Sequence, residues 1–117
     1  MAGNKSGTAP LHLAGTLIVL SLLAQGAPAR SADVQRGHEI ADRWCASCHI
    51  VDNKGTGTAA DRAPPFPELS ADLTKTPSYL RGFLTVPHYP MPDLQLSNRD
   101  IEDLVAYIDR LKKTKTP

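Results

Sequence analysis

Cys45-Ala46-Ser47-Cys48-His49 is the stretch on which the reading of this chain turns. It sets two thiols three residues apart, with an imidazole directly after the second. In a helical turn positions i and i+3 share a face, so both sulfurs point one way and the His49 ring follows them. Thiols so placed suit addition to the two vinyl groups on one edge of a haem, with the imidazole beside them as a ligand to its iron; C-x-x-C-H is the c-type attachment pattern. Two other chemistries use a cysteine pair. A thioredoxin-like redox couple calls for a preceding strand within a βαβ pattern, and a zinc site calls for a second Cys or His pair at ligand spacing. The sequence offers neither, since His12, His38 and His88 stand alone. Haem attachment asks only for His49.

Upstream, Lys5 precedes a nearly unbroken apolar run from Leu11 to Ala24, and Gly26-Ala27-Pro28-Ala29 follows it. Charge, apolar core and a small-x-small site, in that order, make a secretory signal peptide. An uncleaved anchor is the rival, but the run is about 14 residues where roughly 20 are needed to span a bilayer, and it carries His12. Residues 1–29 are therefore expected to be a cleaved signal peptide and residues 30–117 the single domain, delivered to the periplasm with no membrane span in the mature form. Of the 13 basic residues cleavage removes only Lys5, so the mature 88 residues hold 12 basic and 12 acidic side chains. That balance speaks against nucleic acid, whose binders present a strongly basic face. A chain this short buries little core and generally needs a staple. A covalent haem would supply one, and the haem-free chain is expected to be mostly unfolded.

Asp33 to Trp44 has helical character, with Ser31 or Asp33 as cap and Val34, Gly37, Ala41, Trp44 and Cys48 on one face. Glycine inside a helix costs about 1 kcal/mol against alanine, so Gly37 beside the small Ala41 marks a place where another backbone crosses closely. His38, Glu39, Asp42 and Arg43 fall on the opposite, solvated side, and Trp44 is expected in the core against the haem or the crossing helix. Residues 50–63 lose periodicity and form a loop. Its Gly55-Thr56-Gly57 follows no strand, so a phosphate-binding reading carries little weight. In Ala63-Pro64-Pro65-Phe66-Pro67 the prolines fix the chain and cannot donate backbone hydrogen bonds. A ligand histidine needs an acceptor for its second ring nitrogen, and the Pro64 carbonyl is the expected one for His49; a rigid surface turn is the alternative.

Glu68 to Leu73 reads as a short helical turn. A clearer helix starts with Thr76 as cap and Pro77 first, has Tyr79, Leu80, Phe83 and Leu84 as its apolar face, and stops before Pro87. His88-Tyr89-Pro90-Met91-Pro92 is then a stiff loop. A lone methionine is ordinarily a core filler, but Met91 is the one thioether left after signal removal, and soft sulfur suits an iron that shuttles between oxidation states. His88 is its rival as sixth ligand. The last helix opens at Ser97-Asn98-Arg99-Asp100, a cap with an acid three residues on. Its apolar stripe is Ile101, Leu104, Val105, Ile108 and Leu111. Acids gather near its start and bases near its end, as the helix dipole favours, and Tyr107 is the expected partner of the dent at Gly37 and Ala41.

Taken together, Asp33 to Lys112 resembles class I cytochrome c, the small monohaem type found in bacterial periplasms. The resemblance rests on Gly37 eight residues before Cys45, on Cys45 to His49, on Ala63-Pro64-Pro65-Phe66, on Met91 before a polar turn, and on the closing Asp103-Leu104-Val105-Ala106-Tyr107-Ile108. It implies an all-α fold whose N- and C-terminal helices cross near right angles around one haem c, covalently bound through Cys45 and Cys48. It implies His49 and Met91 as axial iron ligands, with Pro64 accepting from His49. The implied function is that of a single-electron carrier, not an enzyme, working between a dehydrogenase or membrane complex and a downstream acceptor. Its implied partners are redox proteins (a dehydrogenase, an oxidase or a membrane electron-transfer complex), and the chain is expected to be a monomer or a subunit of a hetero-complex, a dehydrogenase included. The alternative is an open-site haem protein, a small-ligand sensor or peroxidase-like enzyme with a labile Met91, for which only His88 and Tyr89 offer distal acid–base groups. One departure stands out: mitochondrial-type members wear a lysine ring around the haem edge, whereas here only Lys54 and Lys75 lie between His49 and Met91.

Overall fold

Three of the four α-helices among the described residues start at side chains that take up the first free backbone N–H groups. In the computed structural model, which describes residues 1–4, 7 and 29–112, helix α1 (Val34–Ile40) is capped by Asp33, whose carboxylate accepts from the N–H groups of Gln35 and Arg36 at 3.0 and 3.1 Å. Helix α2 (Phe66–Ala71) starts after Pro65, with Pro67 in its first turn. Helix α3 (Pro77–Thr85) is capped by Thr76, which accepts from the Tyr79 N–H, and ends two residues before Pro87. Helix α4 (Asn98–Leu111) opens on a full capping box between Ser97 and Asp100. Among the described residues there is no strand, and an isolated bridge pairs Ile50 with Gly57. The fold is all-α, as expected.

The chain divides into two compact units, Met1–Arg30 and Ser31–Pro117. The apolar run Leu11–Ala24 and nearly all of the expected signal peptide lie outside the described residues. No helix among the described residues is long and apolar enough to cross a membrane.

Within the second unit, α1 and α4 make the most extensive helix contact. They meet at Gly37: a Cβ added there would overlap the Asp103 carbonyl and lie 2.8 Å from Tyr107 Cβ. Ala41 is fully buried and continues the same close seam. The core gathers Ile40, Cys45, Val51, Phe66 and Leu80 against Ile101, Leu104, Val105, Ile108 and Leu111. Tyr107 lies at the crossing as expected, and its hydroxyl donates to the Val51 carbonyl at 2.9 Å. Burial, with smaller contributions from Asp52 and Asp42, pushes its pKa up to about 12.

Three expectations are corrected. The first helix does not run regularly to Trp44; after Ile40 it opens into a π-helical turn, Ala41–Cys45, in which the Ala46 N–H donates to Ala41 O at 3.0 Å. The wider turn brings Cys45, not Trp44, round to the buried face below Ala41. Trp44 is 51% exposed and Cys45 only 4%. His38 is not simply solvated: its ring lies 4.9 Å from that of Tyr107, and its Nε2 is 3.5 Å from Asp42. Asp103 is no surface acid serving the α4 dipole. It is wholly buried and accepts from the Asp33 N–H at 2.7 Å and from Arg36 at 2.6 Å, with Arg99 at 3.2 Å. Arg36 also pairs with Asp100, so the start of α1 is tied ionically to the first turns of α4.

Candidate functional site

The π-turn delivers the chain into a tight turn in which the N–H groups of Cys48 and His49 both donate to the Cys45 carbonyl, at 3.0 and 2.9 Å. Three potential ligand side chains therefore spring from one turn of backbone. Both sulfurs are free thiols. Cys45 is in the core, where burial pushes its thiol pKa up to about 11, and Cys48 is exposed.

The loop after His49 folds back and satisfies this turn. Thr58 N–H donates to Ala46 O at 2.8 Å and Ala60 N–H to Cys48 O at 3.0 Å. Asp52 shapes the loop by accepting from the N–H groups of Lys54 and Thr56 and from the Thr56 hydroxyl, at 2.7–2.9 Å. Burial acts to raise its pKa, yet those donors together hold it below the usual carboxylate range. Gly57 has φ +111°, and a Cβ on it would overlap the His49 carbonyl. Sequence reasoning found no use for Gly57 beyond a doubtful phosphate loop. Its role is close approach of backbone to backbone, and the signal was a glycine pair just after an Asp able to close a turn.

His49 meets a second segment. Its Nδ1 is 2.8 Å from the Pro64 carbonyl; a carbonyl only accepts, so Nδ1 carries the proton and Nε2 keeps its lone pair for a ligand. Phe66 packs against the imidazole at a centroid distance of 5.3 Å and is buried, and its N–H donates to Ile50 O at 2.8 Å. The segment 64–66 thus grips residues 49–50 by backbone and ring together. Phe66 was missed in this role because its partner lies seventeen positions upstream and nothing local names it.

Met91 is half-buried in the loop joining α3 to α4 and shares a small cavity of about 20 Å³ with Leu84, His88 and Leu96. The His88 ring lies tilted against Phe83 at a centroid distance of 3.7 Å, with Nδ1 3.0 Å from the Val86 carbonyl. No hydrogen bond or ring contact among the described residues joins Met91 or His88 to His49.

The donors fit a haem: two thiols on one turn, an imidazole with its tautomer fixed and Nε2 free, and a thioether in a separate loop. They do not suit the rivals. Among the described residues no group of three or more His, Cys, Asp or Glu side chains is placed to hold a metal ion, and no strand leads into Cys45.

Comparison with known proteins agrees. Residues 32–108 match the family model described as cytochrome C oxidase, cbb3-type, subunit III. Over 102 residues the chain is 37% identical to a protein named cytochrome c-552 from Bradyrhizobium diazoefficiens, covering 87% of this chain and 97% of that one. Over 83 residues it is 30% identical to the cytochrome bc1 complex cytochrome c subunit of Corynebacterium diphtheriae, covering 71% of this chain and 29% of that protein. No solved structure matches.

Proposed function

Starting from a chain that belongs to the cytochrome c family and works in haem-based electron transfer rather than as an enzyme, we propose a periplasmic single-electron carrier with one covalent haem c and His49/Met91 ligation. The haem supplies a metal that takes up and returns one electron; the chain holds and shields it. Cys45 and Cys48 tether the ring edge through thioethers, and His49 presents Nε2 to the iron. The contact between His49 Nδ1 and Pro64 O is the observation that carries this reading, because it fixes tautomer and ring direction, as a ligand histidine requires. Phe66 limits rotation of the same ring. Met91 is preferred to His88 as second ligand because it is the one thioether left after signal removal, and soft sulfur suits an iron that shuttles between oxidation states.

Export rests on the apolar run 11–24 and the Ala27-Pro28-Ala29 site, and the mature protein is expected to begin at Arg30. Similarity to a protein named as a bc1 complex subunit supports a membrane electron-transfer complex as one partner, with a dehydrogenase or an oxidase on the other side.

The test is to co-express the chain with a haem-attachment pathway and record spectra. Haem that stays with the protein through acid–acetone extraction is expected; free haem would overturn the thioether assignment. The far-red band of ferric iron bound to methionine sulfur should vanish in Met91→Ala and persist in His88→Ala, and the reverse would overturn the ligand assignment.

A further inference from the structure

The loop that carries Met91 is poor in backbone donors. Three of its six residues from 87 to 92 are prolines, which bring no N–H, so side chains must help to fix it. His88 does so in two ways. Its ring lies against Phe83 at a centroid distance of 3.7 Å, and its Nδ1 is 3.0 Å from the Val86 carbonyl. A carbonyl only accepts, so Nδ1 donates. Val86 ends α3 in an extended conformation, and Pro87 after it has no N–H. The His88 ring therefore closes a turn that the backbone leaves open.

Phe83 belongs to a file of side chains along α3. The rings of Tyr79 and Phe83 stack at 5.9 Å and 14°, and Lys75 Nζ lies 4.3 Å over the Tyr79 ring. The helix beneath them is fastened to the rest of the unit, since Leu80 is buried in the core and Arg81 pairs with Glu102 of α4 at 2.7 Å. Leu84 and Leu96 pack on the same core, and His88 and Met91 line one small cavity with them. The contact thus joins a fixed helix to a point three residues before Met91.

We propose, on the premise of His49/Met91 ligation, that His88 is a positioning residue for the iron: by clamping the loop to Phe83 and Val86 it restricts the Met91 sulfur to one position. Thioethers and His49 hold the haem from one side, so the Met91 side is the one that can open. An arriving ligand reaches the iron only in the fraction of molecules whose sulfur is off, and its apparent affinity is the intrinsic affinity scaled by that fraction. A loop held at His88 keeps the fraction small; a loop freed there lets it grow. The clamp separates a closed carrier from an iron open to small molecules, and it does so without His88 touching the metal.

Titration of the ferric, haem-loaded protein with imidazole, followed by loss of the far-red band, tests this, with helical circular dichroism of each variant recorded alongside. His88→Ala should keep the band without competitor yet lose it at about tenfold lower imidazole, the effect of one aromatic contact and one hydrogen bond. Phe83→Leu should shift the titration the same way by removing the other half of the ring contact. The double variant should shift it no further than His88→Ala does, as for residues that act through one contact. His88→Phe, which restores a ring without the donor, should recover part of the shift. Unchanged imidazole affinity in His88→Ala overturns the proposal, as do additive shifts in the double variant or a His88→Phe protein no better than His88→Ala. Those outcomes leave Met91 on the iron and strike the clamp alone. A wild-type ferric protein without the far-red band overturns the Met91 ligation and the clamp with it.

Discussion

Gly37 has no room for a methyl group, because α4 presents the Asp103 carbonyl and Tyr107 Cβ where that methyl would sit. Gly37→Ala should therefore destabilise the haem-loaded protein by about 1–3 kcal/mol, the range for overpacking a tight contact, despite the better helix propensity of alanine; urea unfolding measures it. Asp103 is the second decisive residue. Burial alone would raise its pKa, but the Asp33 N–H, the Arg36 guanidinium and the nearby Arg99 outweigh burial and hold it below its ordinary value. A depressed carboxylate contributes stability above its unfolded pKa, near 3.9, and loses it as pH falls through the lower folded value. Asp103→Asn should cost about 1–3 kcal/mol at neutral pH and flatten the stability profile below about pH 4, as read from thermal unfolding across that range. The two residues were not equally legible. A glycine inside a helix has few explanations besides a crossing backbone, so Gly37 could be read from sequence. An aspartate in the second turn of an amphipathic helix looks the same whether it meets water or an arginine 67 residues away, so Asp103 could not.

The helices were legible as elements because their caps are local: Asp33, Thr76 and Ser97 lie next to what they start. The π-turn was not, since Ala41–Cys45 carries no residue that forbids an ordinary helix and the periodicity stays plausible through Trp44. Its Cys45 joins the buried core that α4 shares, and the loop after His49 is hydrogen-bonded back to Ala46 and Cys48, neither of which a local pattern shows. The same holds for residues 52–60, whose looped character was evident while their attachment to Ala46 and Cys48 was not, being made by backbone groups that any side chain could accompany. Asp52 organises that loop. Asp52→Ala should speed hydrogen exchange at the N–H groups of Val51, Thr58 and Ala60 while leaving those of α4 protected, a difference that exchange followed by mass spectrometry or NMR resolves.

For the molecule as a whole, order along the chain was readable and meeting in space was not. The four helices, the Cys45–His49 turn and the Met91 loop could be listed from sequence, and the pairing of Pro64 with His49 could be anticipated from the chemistry of a ligand imidazole. The grip of Phe66 and the Arg36–Asp103–Asp100 tie depend on separations that no local pattern encodes. A unit of this size, with a core of a dozen buried apolar side chains, sits where small domains need a staple. Chain produced without haem attachment is expected to show little helical circular dichroism, and a native-like helical spectrum would contradict that. The burial of Cys45 also sets an order of events. A thiol 4% exposed, lodged in the same core as α4, is out of reach of any attaching enzyme once α1 and α4 have docked. If Cys45 takes a vinyl group, it must do so on a chain not yet folded, so cofactor insertion comes first and the closing of α4 over Gly37 is the step that makes it final.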